Sequence, residues 1–145
     1  DQAEVSKKNI EINELKNFEV YNTAVQNVHK KLGVESFDTV VCNPPYFSEN
    51  SVSPAIAKKE KAEITLNINE ICVEANRLLK YGGSLFLVFP ASRVFELSSV
   101  LNKNNFAIKC ATLVKASHKS EFKTVLVEAK KGGKLTNVKV SSLEL

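Results

Sequence analysis

The stretch Phe37-Asp-Thr-Val-Val-Cys-Asn-Pro-Pro-Tyr46 decides how the rest of the chain is read. Its first six residues make a short strand with an apolar end. Pro44 and Pro45 lack the N–H that a ladder needs, so the strand must stop at Cys42. Asn43 is thereby presented at a carboxyl tip. Downstream, Ile64, Ile68, Ile71, Cys72, Ala75, Leu78 and Leu79 recur at helical spacing up to Gly82-Gly83, which predicts a helix of about five turns. Ser84-Leu-Phe-Leu-Val-Phe89 then forms an apolar run closed by Pro90, the pattern of a strand covered on both faces. Residues 92–103 carry Val94, Phe95, Val100 and Leu101 on one side of a further helix, and three strands are expected near 106–114, 122–129 and 135–140.

Upstream of the motif, residues 2–12 read as a helix already in progress, with no cap before it, that ends in Asn13. Phe18-Glu-Val-Tyr21 alternates as a short strand, and residues 24–31 form a modest helix stopped by Gly33. Strands alternating with helices imply crossover units, so the expected class is α/β, a doubly wound and mainly parallel sheet, with an antiparallel C-terminal edge. A single domain over residues 1–145 is expected from the length. Lys130-Lys131-Gly132-Gly133-Lys134 reads as a hairpin turn. Residues 47–60 read as a long loop of Ser, Asn, Pro and charges.

Composition narrows the function classes. With 43% hydrophobic and 25% charged residues and a mean hydropathy of −0.13, no apolar run reaches the length of a membrane span. The polar start carries neither a signal-peptide nor a transit-peptide pattern, which leads us to expect a cytoplasmic location. Cys42, Cys72 and Cys110 are odd in number, scattered and set among apolar neighbours, so they read as small core residues rather than a disulfide framework. His29 and His118 are the two histidines, and no metal site is expected. The net charge is +4. Its basic residues gather at Lys58, Lys59 and Lys61, at Lys115, His118, Lys119 and Lys123, and at Lys130, Lys131 and Lys134.

In open α/β sheets ligands bind beyond the carboxyl ends of the strands, which is where Asn43 is expected. An amine on an aromatic ring is a weak nucleophile, because its lone pair is delocalised into the ring. Alkylating it requires acceptors that hold its hydrogens and turn that pair outward. The side-chain oxygen of Asn43 and the carbonyl of Pro44 are two such acceptors, and Pro44 and Pro45 stiffen the backbone that aims them. Tyr46 offers a flat face for a base taken out of its stack, with Phe47 as a second wall. Asn-Pro-Pro also occurs as a plain turn; its place after an apolar strand and before an aromatic pair favours the chemical reading. Lys58 and Lys59 stand where they would hold nucleic-acid phosphates, and Arg93, at the next strand tip, has the same capacity. Solvated surface charge is the alternative for all three.

The segments Asn9-Ile-Glu-Ile-Asn13, Phe37 to Phe47, Ala57-Lys-Lys-Glu60, Leu78-Leu-Lys-Tyr-Gly-Gly-Ser-Leu-Phe-Leu-Val88, Ser92-Arg-Val-Phe-Glu-Leu97 and Val125-Leu-Val-Glu-Ala-Lys-Lys-Gly-Gly133 resemble the bacterial tRNA(Val) adenine-N6 methyltransferase family. The resemblance implies a Rossmann-like class I fold, S-adenosylmethionine as cofactor and methyl transfer to an adenine N6 amine in RNA, with tRNA as partner. It assigns Asn43, Pro44, Pro45 and Tyr46 to the reaction centre. The four-residue motif is shared with methyltransferases acting on DNA adenine or protein glutamine. Such enzymes grip the cofactor through a glycine-rich loop and a ribose-binding acid, yet Gly33, Gly82, Gly83, Gly132 and Gly133 never form G-x-G. The first βαβ unit is therefore expected to be missing, as in an N-terminally truncated form. Where the family carries an acid near the cofactor adenine, this chain has Asn22-Thr23; Asn22 fits either a hydrogen bond to the adenine edge or a solvated turn. A cofactor-incompetent module that binds RNA or a partner is the alternative to an enzyme.

Overall fold

The computed structural model describes residues 1–44 and 67–145. Helix α1 (Gln2–Ile12) opens the chain and, contrary to the uncapped start expected, is closed by a capping box: Asp1 accepts from the Glu4 N–H while Glu4 reaches back. An aspartate at that position satisfies an amide that would otherwise be unpaired. None of its residues is buried. Phe18–Tyr21 forms no strand. A four-residue strand exists only through a neighbour's hydrogen bonds, and here Phe18 and Tyr21 stay 62% and 46% exposed. A 3-10 turn (Val25–Asn27) leads into α2 (Val28–Leu32), which Gly33 ends at φ +84, as its freedom to take positive φ allows.

Strand β1 (Phe37–Cys42) is followed by α3 (Ile68–Leu78), β2 (Leu79–Pro90), a 3-10 turn (Ala91–Arg93) and α4 (Val94–Lys103). Three strands complete the chain: β3 (Phe106–Lys115), β4 (Thr124–Lys131) and β5 (Lys139–Glu144). Asn67 starts α3 with a second capping box, through Glu70. Ile64, where the periodicity starts, lies outside the described residues, and the helix stops short of Gly82-Gly83. It ends at Leu78, and Gly82-Gly83 lies inside β2 rather than after the helix. Between Phe37–Leu79 and Thr39–Ser84 the β1–β2 register shifts, so the glycines sit in an irregular stretch where β2 carries extra residues, a setting that tolerates glycine.

The sheet order is β1-β2-β4-β3-β5. β1 runs parallel to β2, β4 runs antiparallel to both β2 and β3, and β5 runs parallel to β3. Lys130–Lys134 is consequently no hairpin. Gly132 turns at φ +65 and its N–H donates to Asn105 O at 2.8 Å, while Tyr81 stacks so close that an added Cβ would collide with its ring. The chain then passes the end of β3, pinned by Lys109 Nζ to Lys134 O (2.6 Å) and Thr136 Oγ1 (3.1 Å), and pairs on β3's far side.

α3 and α4 cover one face of the sheet. Ile68, Ile71, Cys72 and Ala75 of α3 and Leu97 and Leu101 of α4 close over Leu85, Leu87 and Phe89 of β2 and Val125, Val127 and Ala129 of β4. Asparagines join the two helices: Asn76 Nδ2 donates to Asn104 O at 3.0 Å, and Asn104 Nδ2 to Asn69 Oδ1 at 2.9 Å. The alternate residues of the strands point the other way. Val41, Phe86, Val88, Leu126, Glu128, Cys110 and Thr112 line a shallow depression of about 310 Å³ there, with Val41 73% exposed. The apolar run of β2 had suggested cover on both faces; among the described residues only one face is covered. Cys72 is fully buried and Cys42 packs against the core, whereas Cys110 faces the depression, so the core reading of the cysteines fails for Cys110.

Candidate active site

Parallel pairing puts the carboxyl ends of β1 and β2 on one edge of the sheet. Cys42 is level with Leu87, so Asn43 emerges beside Val88 while β2 runs on to Pro90. Asn43 is exposed and Pro44 buried, which anchors the backbone one residue beyond the tip. Pro45, Tyr46, Phe47, Lys58 and Lys59 lie outside the described residues.

Arg93 stands on the same edge, in the turn after Pro90. Its guanidinium grips Glu96 with two bonds, Nε to Oε2 at 2.8 Å and Nη2 to Oε1 at 2.6 Å, and lies 5.1 Å from the centroid of the Phe89 ring. These hydrogen bonds stabilise both charges, raising Arg93 above and holding Glu96 below their ordinary values. Any phosphate reaching Arg93 competes with Glu96.

β4 extends the edge. Pro90 pairs with Thr124, and Ala91 N donates to Lys123 O at 3.0 Å, so the β3–β4 connection, residues 116–123, rises beside the β2 tip. The basic set Lys115, His118, Lys119 and Lys123 thus shares an edge with Asn43, a convergence that only the sheet order reveals. Lys130 and Lys131 occupy the opposite edge. There they serve the fold: Lys131 Nζ bonds Leu79 O at 2.8 Å and Glu35 at 3.0 Å, and Lys130 Nζ bonds Gly82 O at 3.3 Å.

Asn22 donates from Nδ2 to Asp1 at 3.1 Å, and Thr23 is half-buried in the same extended segment. Asn43, Asn22 and Thr23 are the residues that the resemblance assigns to S-adenosylmethionine, and the five glycines of the chain form no G-x-G turn that would complete such a site. No group of three or more His, Cys, Asp or Glu suited to a metal occurs among the described residues. No helix among them is long and apolar enough to cross a membrane.

This architecture, a mixed five-stranded α/β sheet in which β1 and β2 run parallel and β4 lies antiparallel beside them, is that of Rossmann-like methyltransferases. A protein from Agrobacterium tumefaciens designated an O-methyltransferase superposes with a TM-score of 0.68 at 20% identity, covering 98% of this chain and 62% of its own. A Streptococcus mutans methyltransferase solved with SAH gives 0.56 at 17% identity, over 90% of this chain and 71% of its own. A protein from Thermus thermophilus designated a DNA modification methylase, solved with S-adenosyl-L-methionine, gives 0.53 at 16% identity, over 78% of this chain and 53% of its own. The chain thus spans less than two thirds of the length of the Agrobacterium protein. No curated protein matches it in sequence. Residues 2–117 match the methyltransferase small domain family, and the chain belongs to that family.

Proposed function

We propose that the protein methylates the exocyclic N6 amine of an adenine in RNA, with tRNA as substrate and S-adenosylmethionine as donor. The observation that carries this reading is Asn43, exposed at the carboxyl tip of β1 and backed by buried Pro44, in a chain of the methyltransferase small domain family. Bound beside the β1 tip, S-adenosylmethionine would supply the methyl group, its S–C bond breaking with the electrons on sulfur as the amine lone pair forms the new N–C bond and an amine proton passes to water. The chain's own part is positioning. Asn43 Oδ1 and the Pro44 carbonyl accept the two amine hydrogens, which pulls the nitrogen towards tetrahedral geometry and frees its lone pair for in-line attack. Tyr46 and Phe47 hold the base by face contact, Asn22 and Thr23 border the cofactor, and Lys58, Lys59 and Arg93 receive phosphates.

The test supplies methyl-labelled S-adenosylmethionine with tRNA, with a DNA duplex and with a glutamine-bearing protein substrate, and identifies the product after digestion. N6-methyladenosine from tRNA supports the reading. Label on DNA adenine, on glutamine or on a ribose oxygen replaces it with the corresponding alternative. Calorimetric titration with S-adenosylmethionine separates catalysis from a binding module without cofactor, for which no heat of binding is expected.

A further inference from the structure

We infer that residues 116–123 form a second contact surface for the nucleic-acid strand, in which Phe122 stacks on an unpaired base next to the target and Lys119 and Lys123 hold that strand's phosphates. The inference rests on the nucleic-acid reading above and adds residues that lie far from the Asn43 motif in sequence.

Position is the first argument. The connection leaves β3 at Lys115 and enters β4 at Thr124, and β4 is separated from β1 by β2 alone. Two strand spacings are about 10 Å, which brings the connection within reach of a nucleotide neighbouring a base held at Asn43. The backbone of Lys123 is fixed on both sides, its N–H donating to Val114 O at 3.2 Å and its carbonyl accepting from Ala91 N at 3.0 Å. The surface therefore keeps its place relative to the β2 tip.

Chemistry is the second. Phe122 is 40% exposed beside the sheet edge, and Lys115 Nζ lies 5.6 Å from its ring centroid. A cation behind an aromatic ring leaves the other face for a base, and a base has a π-face whatever its identity. Lys119 and Lys123 flank this ring in sequence and are exposed. The acids close by are Glu144, already bound by His118 Nδ1 at 2.8 Å and Lys115 Nζ at 3.5 Å, and Glu121. Glu144 is thus engaged by Lys115 and His118 and not by Lys119 and Lys123, the two lysines that the connection itself presents. The lysines of the opposite edge have no such access, being spent on Leu79, Glu35 and Gly82.

Fluorescence anisotropy with labelled single-stranded RNA and DNA of one sequence, across a salt series, tests this. Phe122→Ala and Phe122→Leu are each expected to weaken binding about tenfold, the leucine variant controlling for lost apolar volume, while Phe122→Tyr keeps it. Lys119→Ala with Lys123→Ala is expected to reduce the slope of log K against log salt by about 1.4, at roughly 0.7 per phosphate on a single strand. Lys130→Ala, on the opposite edge, leaves both unchanged. Wild-type affinity and slope in the Phe122 and lysine variants would overturn the inference while leaving the proposed reaction standing. If the unaltered protein binds neither strand, the nucleic-acid reading itself falls.

Discussion

Glu74 takes two hydrogen bonds from His29, one from the backbone N–H at 2.6 Å and one from ring Nδ1 at 2.7 Å. With Arg77 at 3.3 Å, these are what hold a carboxylate only 2% exposed inside α3 and tie α2 to it. Burial alone would raise the carboxyl; the His29 backbone N–H, the His29 ring and Arg77 outweigh it and hold it below its ordinary 4.5. A depressed carboxyl stabilises the fold above the unfolded value, and that contribution disappears as pH falls through the folded value. Glu74→Gln should therefore cost about 2 kcal/mol at pH 7 and progressively less below pH 4.5. Denaturant unfolding at both ends of that range checks it; an equal loss at each would refute the ionic role.

On the proposed mechanism, Asn43→Ala removes one of two acceptors used mainly while charge develops on the amine. Turnover should fall about 10²- to 10³-fold, with S-adenosylmethionine affinity changed less than about threefold, because the lost bond matters in the transition state and not in the ground state. Single-turnover methyl transfer alongside calorimetry measures the split. A parallel loss of both would assign Asn43 to cofactor binding instead.

Leu126 and Val127 are neighbours on β4 with opposite fates: 38% exposed over the depression and 1% exposed in the core. Val127→Ala should cost about 2–3 kcal/mol, two methyl groups plus a cavity, whereas Leu126→Ala should cost under about 1 kcal/mol. Leu126→Ala should also reduce binding of a hydrophobic dye, since it trims the uncovered face. Equal destabilisation by the two would mean that both faces of the sheet are covered in solution.

Burial, with Cys42 close by, pushes the Cys72 thiol up to about 12. The thiolate is the reactive form, so Cys72 should resist thiol reagents at pH 8 until the protein unfolds, while Cys110 on the open face reacts first. Mass-resolved labelling of the native protein checks the order, and prompt labelling of Cys72 would contradict its packing.

What could be read in the chain is what its punctuation controls. Pro44 and Pro90 close β1 and β2 where expected, Gly33 ends α2, and the alternation of strands and helices gives the α/β class. What escapes depends on partners distant in sequence. Phe18–Tyr21 has the pattern of a strand but no neighbour among the described residues to pair with, and a short apolar run at Ser84–Phe89 reads alike whether one face or two is covered. The Gly132-Gly133 turn is visible, but nothing local says that the next strand pairs with β3 and not β4. The site divides the same way. Asn43 and Arg93 stand at strand tips legible from adjacent prolines, whereas the approach of Lys123 to Ala91 follows from sheet order alone. The capping role of Asp1 is within reach, since an acid three residues before Glu4 is a known opening pattern.

Because β5 runs parallel to β3, with Leu145 N donating to Lys115 O at 3.1 Å, anything fused behind Leu145 would emerge among the groups suggested to meet the substrate. An affinity tag or fluorophore placed there would obstruct the measurement it was meant to enable.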